Sequence, residues 1–419
     1  MPARRYATKS VQPIAHRVTR PVLLVAFAAA VLGAIVVARR HAAPPTRVAI
    51  RIDCAHAGAA ACAIVEQLAL DTWSEARGPR EPLDVVVTAR TAARLAELGI
   101  AHDVLVPDID ADARAERERI ATASSTDFFA DYRDFEAITA HLRELAALAP
   151  DRVSLHAIGA SIDGRPLWAL RIGTTGTPML VDGTQHAREW IATMVTTCIA
   201  DRLVRDYDRD AAIRELADST VVWVVPVVNP DGYQHTWSGD RYWRKNRRSS
   251  YGVDLNRNFG VAFGGAGSSK NKRAENYRGE YAFSEPESAA IRDLAKRERI
   301  ALHVDFHAYG QLVMYPWGYT AEPAKDRDRF AAIGDRVASA MTAAHDTRYA
   351  LMQAAELYPA SGNISDWMYG EAAARSFAIE LRPTGWPGRG KYGFVLPPEQ
   401  IGPTCDEGLA AVLALRAAR

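Results

Sequence analysis

The segment VVWVVPVV, at residues 221–228, is continuously apolar and rich in β-branched side chains. A run without polar alternation is typical of a strand buried on both faces of a sheet. The other strand-like segments of this region are 153–158, 167–172 and 178–181, and its helical segments are 135–148 and 191–207. Strands that alternate with long helices predict an α/β fold, in which a mixed β-sheet is flanked by helices on both faces.

A smaller α+β unit is predicted before this region, at residues 47–109. Its strand-like segments are 47–53, 84–89 and 104–109, and its helical ones are 62–73 and 91–98. This unit has no cluster of His, Asp or Glu that suggests chemistry. The charged segment 110–127 predicts a connecting helix and linker, which Arg114, Arg117 and Arg119 make a substrate for trypsin. The main domain then occupies residues 128–419.

The N-terminus predicts export. Residues 1–20 are basic, and residues 21–38 contain no charged side chain. Such a segment is either a transmembrane anchor, with the N-terminus in the cytoplasm, or a cleaved signal peptide, since Ala42 and Ala43 follow. The main domain is then membrane-anchored and extracytoplasmic, or secreted or periplasmic. A buried core helix is disfavoured so close to a basic terminus.

Composition excludes several classes of protein. The 419 residues are 48% apolar and 24% charged, which is typical of a globular chain and excludes a disordered or collagen-like one. Lys and Arg total 51 against 50 for Asp and Glu, so no global field favours nucleic acid. Cys54 and Cys62 could pair in an oxidising compartment. Cys198 and Cys405 are interpreted as free, buried thiols.

Two segments carry potential metal ligands. GTQHAREW, at residues 183–190, follows a strand and places His186 and Glu189 where both could converge on zinc. This spacing is weak on its own, because a surface His and a helix-start Glu would produce it too. The segment LHVDFHAYGQLVMYPWGY, at 302–319, offers the third ligand. We interpret His307, near the end of a strand, as that ligand and His303 as structural.

Four further segments complete the pattern. They are NPDGY with RYWRKNRR at 229–233 and 241–248, GVDLNRNF at 252–259, YPASGNISDW at 358–367, and SFAIELR at 376–382. The basic and aromatic residues of 241–248 could form a nucleic-acid patch or a solvated face, but no comparable patch occurs elsewhere. SFAIELR places a single acid, Glu380, among apolar strand residues.

Together and in this order, these segments resemble the zinc carboxypeptidases, in the branch of the pancreatic carboxypeptidases A and B. The resemblance covers residues 128–407, and the unit at 47–109 more weakly resembles the pro-domain of that family. It implies one Zn²⁺ per chain, with His186, Glu189 and His307 as ligands. It further implies that the carboxylate of Asp254 orients His186.

The resemblance also assigns the residues that act on substrate. Glu380 would be the general base and Arg244 the cation that polarises the carbonyl. Asn256 and Arg257 would clamp the terminal carboxylate of the substrate. Tyr358 would close over the substrate. The neighbouring subsites would be lined by Arg188, Tyr309 and Phe394. The expected partners are peptide or protein C-termini, bound by a monomer.

Ser365 would lie at the base of the specificity pocket, just before the Asp366-Trp367 pair. Its walls would be Met314, Gly318, Ile364 and Ala378, which are small or apolar. An uncharged pocket predicts release of neutral aromatic or aliphatic residues. The alternatives are a peptidoglycan or γ-glutamyl peptidase of the same family, deacylation of a small amide, and a catalytically inactive peptide-binding homologue.

Overall fold

A computed structural model of the chain describes residues 45–74, 82–122, 125–384 and 393–417. The chain divides into two units, Met1–Pro45 and Thr46–Arg419, and the account below concerns the second. The predicted basic segment 1–20 and the predicted anchor or signal 21–38 lie outside the described residues. Within the described residues, no helix combines the length and apolarity that crossing a membrane requires.

The N-terminal part of the second unit forms a four-stranded sheet in the order β2-β3-β1-β4. Its elements are β1 (Arg47–Ile52), α1 (Cys54–Ala57), α2 (Ala59–Leu68), β2 (Asp71–Thr72), β3 (Leu83–Thr88), α3 (Ala89–Glu97), β4 (Asp103–Val106) and α4 (Ile109–Thr122). β1 pairs antiparallel with both β3 and β4. One face packs on α2 and α3 through Val65 and Leu95, which forms a small core.

The larger sheet has eight strands in the order β11-β10-β12-β9-β7-β8-β6-β5. Its strands are β5 (Val153–Ala160), β6 (Pro166–Ile172), β7 (Thr177–Gly183), β8 (Thr220–Val225), β9 (Leu302–Gly310), β10 (Leu312–Tyr315), β11 (Ala350–Gln353) and β12 (Arg375–Thr384). The central strands β8, β7, β9 and β12 run parallel, whereas β10, β6 and β5 introduce antiparallel pairs. The sheet is therefore mixed.

Helices cover both faces of this sheet, which confirms the predicted fold class. They are α5 (Phe135–Leu148), α6 (Trp190–Arg205), α7 (Ala211–Ser219), α8 (Pro230–Ser238), α9 (Pro286–Glu298), α10 (Arg327–His345), α11 (Ala354–Leu357), α12 (Ile364–Gly370) and α13 (Ile401–Ala417). Helices α5, α6, α10 and α13 enclose the larger core on one face, and α9 and α12 enclose a second core on the other. Short 3₁₀ helices occur at Phe128–Ala130, Leu255–Arg257 and Pro398–Gln400.

Three predicted element boundaries are wrong for local reasons. The predicted helix 62–73 ends at Leu68, because the following residues pair with the edge of β3, beginning with the bond from Leu70 N to Val86 O. The predicted strand 104–109 ends at Val106, since the Asp108 carboxylate accepts from the backbone of residues 110 and 111 and starts α4. β8 ends at Val225, just before Pro226.

The four cysteines form two disulfides, of which the sequence suggested only one. Cys54 and Cys62 form a disulfide, as their spacing allowed. Cys198 and Cys405, which we interpreted as free thiols, form a second one, and no cysteine is free. Cys198 lies on α6 and Cys405 on α13, and these two helices pack side by side on the same face of the large sheet. A separation of 207 residues concealed this proximity in the sequence.

Replacing Cys198 and Cys405 by Ala should lower the free energy of unfolding by roughly 2–5 kcal/mol, because the bond closes a long loop in the unfolded chain. Urea unfolding without reductant would measure this loss. The matched control replaces Cys54 and Cys62, whose loop is short, and should show a smaller loss. Thiol titration of the unreduced, denatured wild type should find no free thiol. Two reactive thiols in the wild type that are absent from the variant lacking Cys198 and Cys405 would contradict the Cys198–Cys405 bond.

Candidate active site

Two parallel strands bring the predicted metal ligands together. β7 ends at Gly183, and the chain then passes through His186 and Glu189 before α6 begins at Trp190. His307 lies near the end of the neighbouring strand β9, which pairs in parallel with β7. Because parallel strands end at the same edge of a sheet, these three side chains meet there. All three are about 2% exposed.

The three side chains form one tight cluster. Each offers a ligand atom, and those atoms all lie within 4.8 Å of one another. The Nδ1 atom of His186 is 2.7 Å from one Glu189 carboxylate oxygen, and the Nδ1 atom of His307 is 3.0 Å from the other. The two Nδ1 atoms are 3.1 Å apart. Both imidazoles thus direct the same ring nitrogen at the Glu189 carboxylate.

The outer nitrogen of each imidazole contacts a carboxylate. His186 Nε2 lies 3.2 Å from Asp254 Oδ1, and His307 Nε2 lies 2.7 Å from Asp305 Oδ2. Asp254 and Asp305 are fully buried. A carboxylate behind the ring is the usual way to fix a ligand histidine. Two neutral imidazoles and one carboxylate are also a known catalytic zinc set, so the residues present fit a zinc ion.

Electrostatics at the cluster favour positive charge. Burial alone would raise the pKa of Glu189, but the adjacent His186 and His307 hold it at about 2. Burial opposes charge on His307, yet Asp305 and Glu189 raise its pKa well above the usual value. Asp254 keeps a pKa well below normal despite its burial, because Arg244 and Arg257 are near. The carboxylates of Glu189 and Asp254 are therefore ionised.

Glu380 and Arg244 lie beside this cluster. Glu380 is on β12, where it is the register partner of His307 in the adjacent parallel strand. Register partners project to the same face of a sheet, so Glu380 faces the same cavity as the cluster. Arg244 Nη2 donates to Asp254 Oδ2 at 3.0 Å. Asp254 therefore connects Arg244 to His186 through its two oxygens.

A cavity of about 40 Å³ extends from the cluster into the large sheet. Its lining is His186, Asn256, Arg257, His307, Met314, Tyr315, Ala354, Leu357, Tyr358, Ala360, Asn363, Ser365, Ala378 and Glu380. Ser365 is buried, and its hydroxyl has no hydrogen-bond partner among the described residues. Of the predicted wall residues, Ile364 packs in the second core, and the backbone of Gly318 donates to Asp366.

The acid that follows Ser365 in the chain is already hydrogen-bonded. Asp366 accepts from the backbone nitrogens of Gly318 and Tyr319 at 2.8 and 3.0 Å. Burial raises its pKa to about 6, against the effect of those backbone donors. Asn363 is also engaged, because its side chain caps α12 and donates to the Ala360 carbonyl. Asp366 does not line the cavity, and Asn363, which does, is uncharged and already hydrogen-bonded.

The N-terminal sheet contacts three predicted subsite residues. Arg188 pairs with Asp71 at 2.9 Å and lies over the ring of Phe394 at 4.3 Å. The Tyr309 hydroxyl donates to Asp84 at 2.6 Å. Trp73 packs edge-on against Phe394, with the ring centroids 5.4 Å apart. Arg188, Tyr309 and Phe394 therefore all lie beneath the N-terminal sheet.

A second cavity, of about 320 Å³, lies beside Arg188 and is lined by residues of both the N-terminal unit and the main domain. Arg188, Arg244 and Arg257 line one side of it, and Asp71 lines the other. Burial raises the pKa of Asp71 to about 6, while Arg188 opposes that rise. The two cavities share Arg257, which therefore borders both.

Sequence reasoning missed two groups of residues here. Asp305 and the Gln185 amide that contacts it were not singled out. A signal existed, because residues two apart in a strand share a face, which puts Asp305 beside His307. Asp71 and Asp84 were also missed. Nothing in the sequence links them to the main domain, since their partners lie more than 100 residues away.

Comparison with known proteins identifies the family. A family model described as "Zinc carboxypeptidase" matches residues 138–411. Carboxypeptidase A1 from Homo sapiens is 34% identical over 373 residues, which are 84% of this chain and 87% of that protein. Carboxypeptidase B from Bos taurus is 33% identical over 330 residues, 76% of this chain and 78% of the relative.

A solved structure agrees. The crystal structure of thrombin activatable fibrinolysis inhibitor (TAFI) superposes with a TM-score of 0.82 at 28% identity, and the match covers 89% of this chain and 98% of that one. The matched 89% of this chain is more than residues 128–419 alone could supply, so the similarity extends into the N-terminal sheet. The chain belongs to the zinc carboxypeptidase family. It is a metallocarboxypeptidase, and hence a hydrolase, with a cluster suited to the metal of that family.

Proposed function

We propose that this enzyme hydrolyses the C-terminal peptide bond of peptides or proteins and releases neutral aromatic or aliphatic residues. One observation supports this most directly: His186, His307, Glu380 and Arg257 line a single cavity. That cavity combines a metal-ligand cluster, a carboxylate and a guanidinium. These are the groups needed to activate water and to bind a free carboxylate.

His186, Glu189 and His307 would hold one zinc ion per chain. When bound, zinc supplies Lewis acidity, which polarises a carbonyl and makes water a stronger acid. Glu380 accepts the proton of the attacking water on its carboxylate and later transfers it to the leaving amine. Arg244, held by Asp254, directs its guanidinium at the oxygen on which negative charge develops.

Arg257 and Asn256 would bind the terminal carboxylate of the substrate. Arg257 is buried and lines both cavities, so a carboxylate can reach it from the N-terminal side. Its guanidinium is held by the carbonyls of Asn256 and Gly267 at 2.8 and 3.0 Å. A guanidinium fixed in this way recognises a planar carboxylate with two parallel hydrogen bonds. This requirement for a free C-terminus defines an exopeptidase.

The pocket beyond the cluster would select the released residue. Met314, Ser365 and Ala378 offer no charge to it. The cavity measures only about 40 Å³, so a large side chain would require it to widen. Tyr358 lines the cavity and would be the residue that moves and closes over substrate.

The N-terminal unit, at residues 47–109, would act as an inhibitory or folding-assistant pro-domain. Its Asp71 and Asp84 engage Arg188 and Tyr309, which are the residues proposed to line the outer subsites. A peptide cannot occupy those subsites while the N-terminal sheet contacts them. The connecting helix α4 holds this arrangement through Glu116, which pairs with the buried Arg241 at 2.6 Å.

Export is the proposed location, either membrane-anchored through residues 21–38 or secreted or periplasmic after their cleavage. The two disulfides support it, because such bonds persist in oxidising compartments. An exported enzyme could instead act on peptidoglycan or γ-glutamyl peptides. Hydrolysis of a muropeptide, with no hydrolysis of a plain peptide, would favour that alternative.

Separating the N-terminal unit should raise activity, because Arg188 and Tyr309 then become accessible. The trypsin sites Arg114, Arg117 and Arg119 lie in helix α4, where cleavage first requires the helix to open. A specific protease site inserted at 125–127 gives a cleaner cut. The uncut insertion variant is the control. If the unit is cut and removed on a sizing column without any gain in activity, an inhibitory role is wrong.

Zinc binding and proton transfer should separate in two variants of the cut enzyme. His307→Ala should lose both zinc and activity, since one of three ligands is gone. Glu380→Gln should keep one zinc per chain and lose activity by about 10²–10⁴-fold. Metal analysis and amino-acid release would be measured together, with His345→Ala as a histidine control. Full zinc content in His307→Ala, or near wild-type turnover in Glu380→Gln, would refute these roles.

Specificity should respond to Ser365. The wild type should cleave peptides ending in Phe or Leu at least about tenfold better than those ending in Arg or Glu, judged by kcat/KM. Burial of an apolar side chain is worth about 1.5–3 kcal/mol, and an unpaired charge is penalised. Ser365→Asp should shift the preference towards Arg, whereas Ser365→Asn, of equal size but neutral, should not. Wild-type activity on Arg equal to that on Phe would contradict the neutral pocket.

A further inference from the structure

We propose that Asp305 is a positioning residue, which fixes His307 in the tautomer that a metal ligand needs, and that Gln185 holds Asp305 in place. The inference rests on the metal site proposed above. Neither residue contacts the centre of the cluster. Both act through the outer face of the imidazole and the loop that carries the other ligands.

The tautomer of His307 decides whether it can bind a metal. Its Nδ1 atom faces the cluster, 3.0 Å from Glu189 Oε2. A neutral imidazole carries one proton, and only its unprotonated nitrogen can be a ligand. The proton must therefore reside on Nε2. At that position, Asp305 Oδ2 lies 2.7 Å away and can only accept a hydrogen bond when ionised.

Asn256 favours the opposite tautomer. Its Nδ2 atom lies 3.2 Å from the same His307 Nε2. The orientation of this amide is fixed, because Asn256 Oδ1 accepts from the backbone nitrogen of Ile364 at 2.9 Å. A donor facing Nε2 stabilises the ring form with a lone pair on Nε2 and the proton on Nδ1. Without Asp305, His307 would direct an N–H group at the metal position.

Gln185 connects Asp305 to the other ligand loop. The Gln185 Nε2 atom donates to Asp305 Oδ2 at 2.7 Å, and its backbone carbonyl accepts from Asn229 Nδ2 at 3.0 Å. Gln185 directly precedes His186 in the chain. Both Gln185 and Asp305 are fully buried, where only a hydrogen-bonded carboxylate is tolerated. Two hydrogen bonds that meet at Asp305 Oδ2 thus connect His307 of β9 to the loop after β7.

The test is metal affinity rather than activity alone. In Asp305→Asn, the zinc dissociation constant from chelator competition should rise about 10- to 100-fold, and the visible spectrum of the cobalt-substituted protein should change. Asp182→Asn is the matched control. Asp182 is the fully buried register partner of Asp305 and holds His303 at 2.9 Å, outside the cluster. That variant should bind zinc as the wild type does.

A second-site variant tests the tautomer itself. Adding Asn256→Asp to Asp305→Asn replaces the competing donor by an acceptor and should restore part of the zinc affinity. A merely structural role for Asp305 predicts no such rescue. If Asp305→Asn does not fold, Gln185→Leu removes the supporting donor and should weaken zinc binding in the same direction.

The outcomes separate this inference from the proposed function. A wild type that binds no zinc at the cluster would overturn both. The positioning role alone would be overturned if the wild type binds zinc and Asp305→Asn has the same zinc affinity and cobalt spectrum. If Asp305→Asn does not fold, the same result in Gln185→Leu would overturn it. Equal losses of affinity in Asp305→Asn and Asp182→Asn would also overturn it, because a general effect of buried charge would then explain the loss.

Discussion

The parallel pairing of β7 with β9 is the constraint on which the site depends. It places the loop after β7 and the end of β9 at one edge of the sheet, where His186, Glu189 and His307 meet. β12, parallel to β9 on its other side, adds Glu380 at the same level as His307. A shift of one residue in the β9–β12 register would turn Glu380 to the opposite face of the sheet. Strand register thus fixes where the loop after β7 meets His307 and Glu380.

Much of this arrangement could be predicted from the sequence, because local signals and segment order are strong. The apolar run at 221–228 indicated a central strand, and α5 begins and ends at the predicted residues 135 and 148. What could not be predicted are contacts between segments far apart in the chain. The Cys198–Cys405 bond needs α6 and α13 to be neighbours, which no local pattern reveals. Asp305 was overlooked, although the alternation of side chains along β9 places it on the same face as His307.

Charge explains why the N-terminal sheet and the main domain fit together. Arg188, Arg244 and Arg257 line one cavity, and a group of cations needs carboxylates nearby. Asp254 supplies one from within the main domain and Asp71 supplies one from the N-terminal sheet. Asp84 has a further role, since it pairs with Arg51 of its own sheet at 2.6 Å while accepting from Tyr309. The N-terminal sheet therefore places the carboxylate of Asp71 in the cavity that the three arginines line.

The same geometry removes an objection to release of the N-terminal unit. Arg188 is 1% exposed, and an unpaired buried charge is strongly destabilising. That penalty arises from the lack of water around the guanidinium. Here the N-terminal sheet both supplies Asp71 and helps to exclude water from Arg188, since Asp71 and Arg188 line the same cavity. If the unit is released as proposed, its departure would remove the partner and admit solvent in one step. Arg188 would then exchange Asp71 for water, and afterwards for the proposed substrate, without passing through a buried unpaired state.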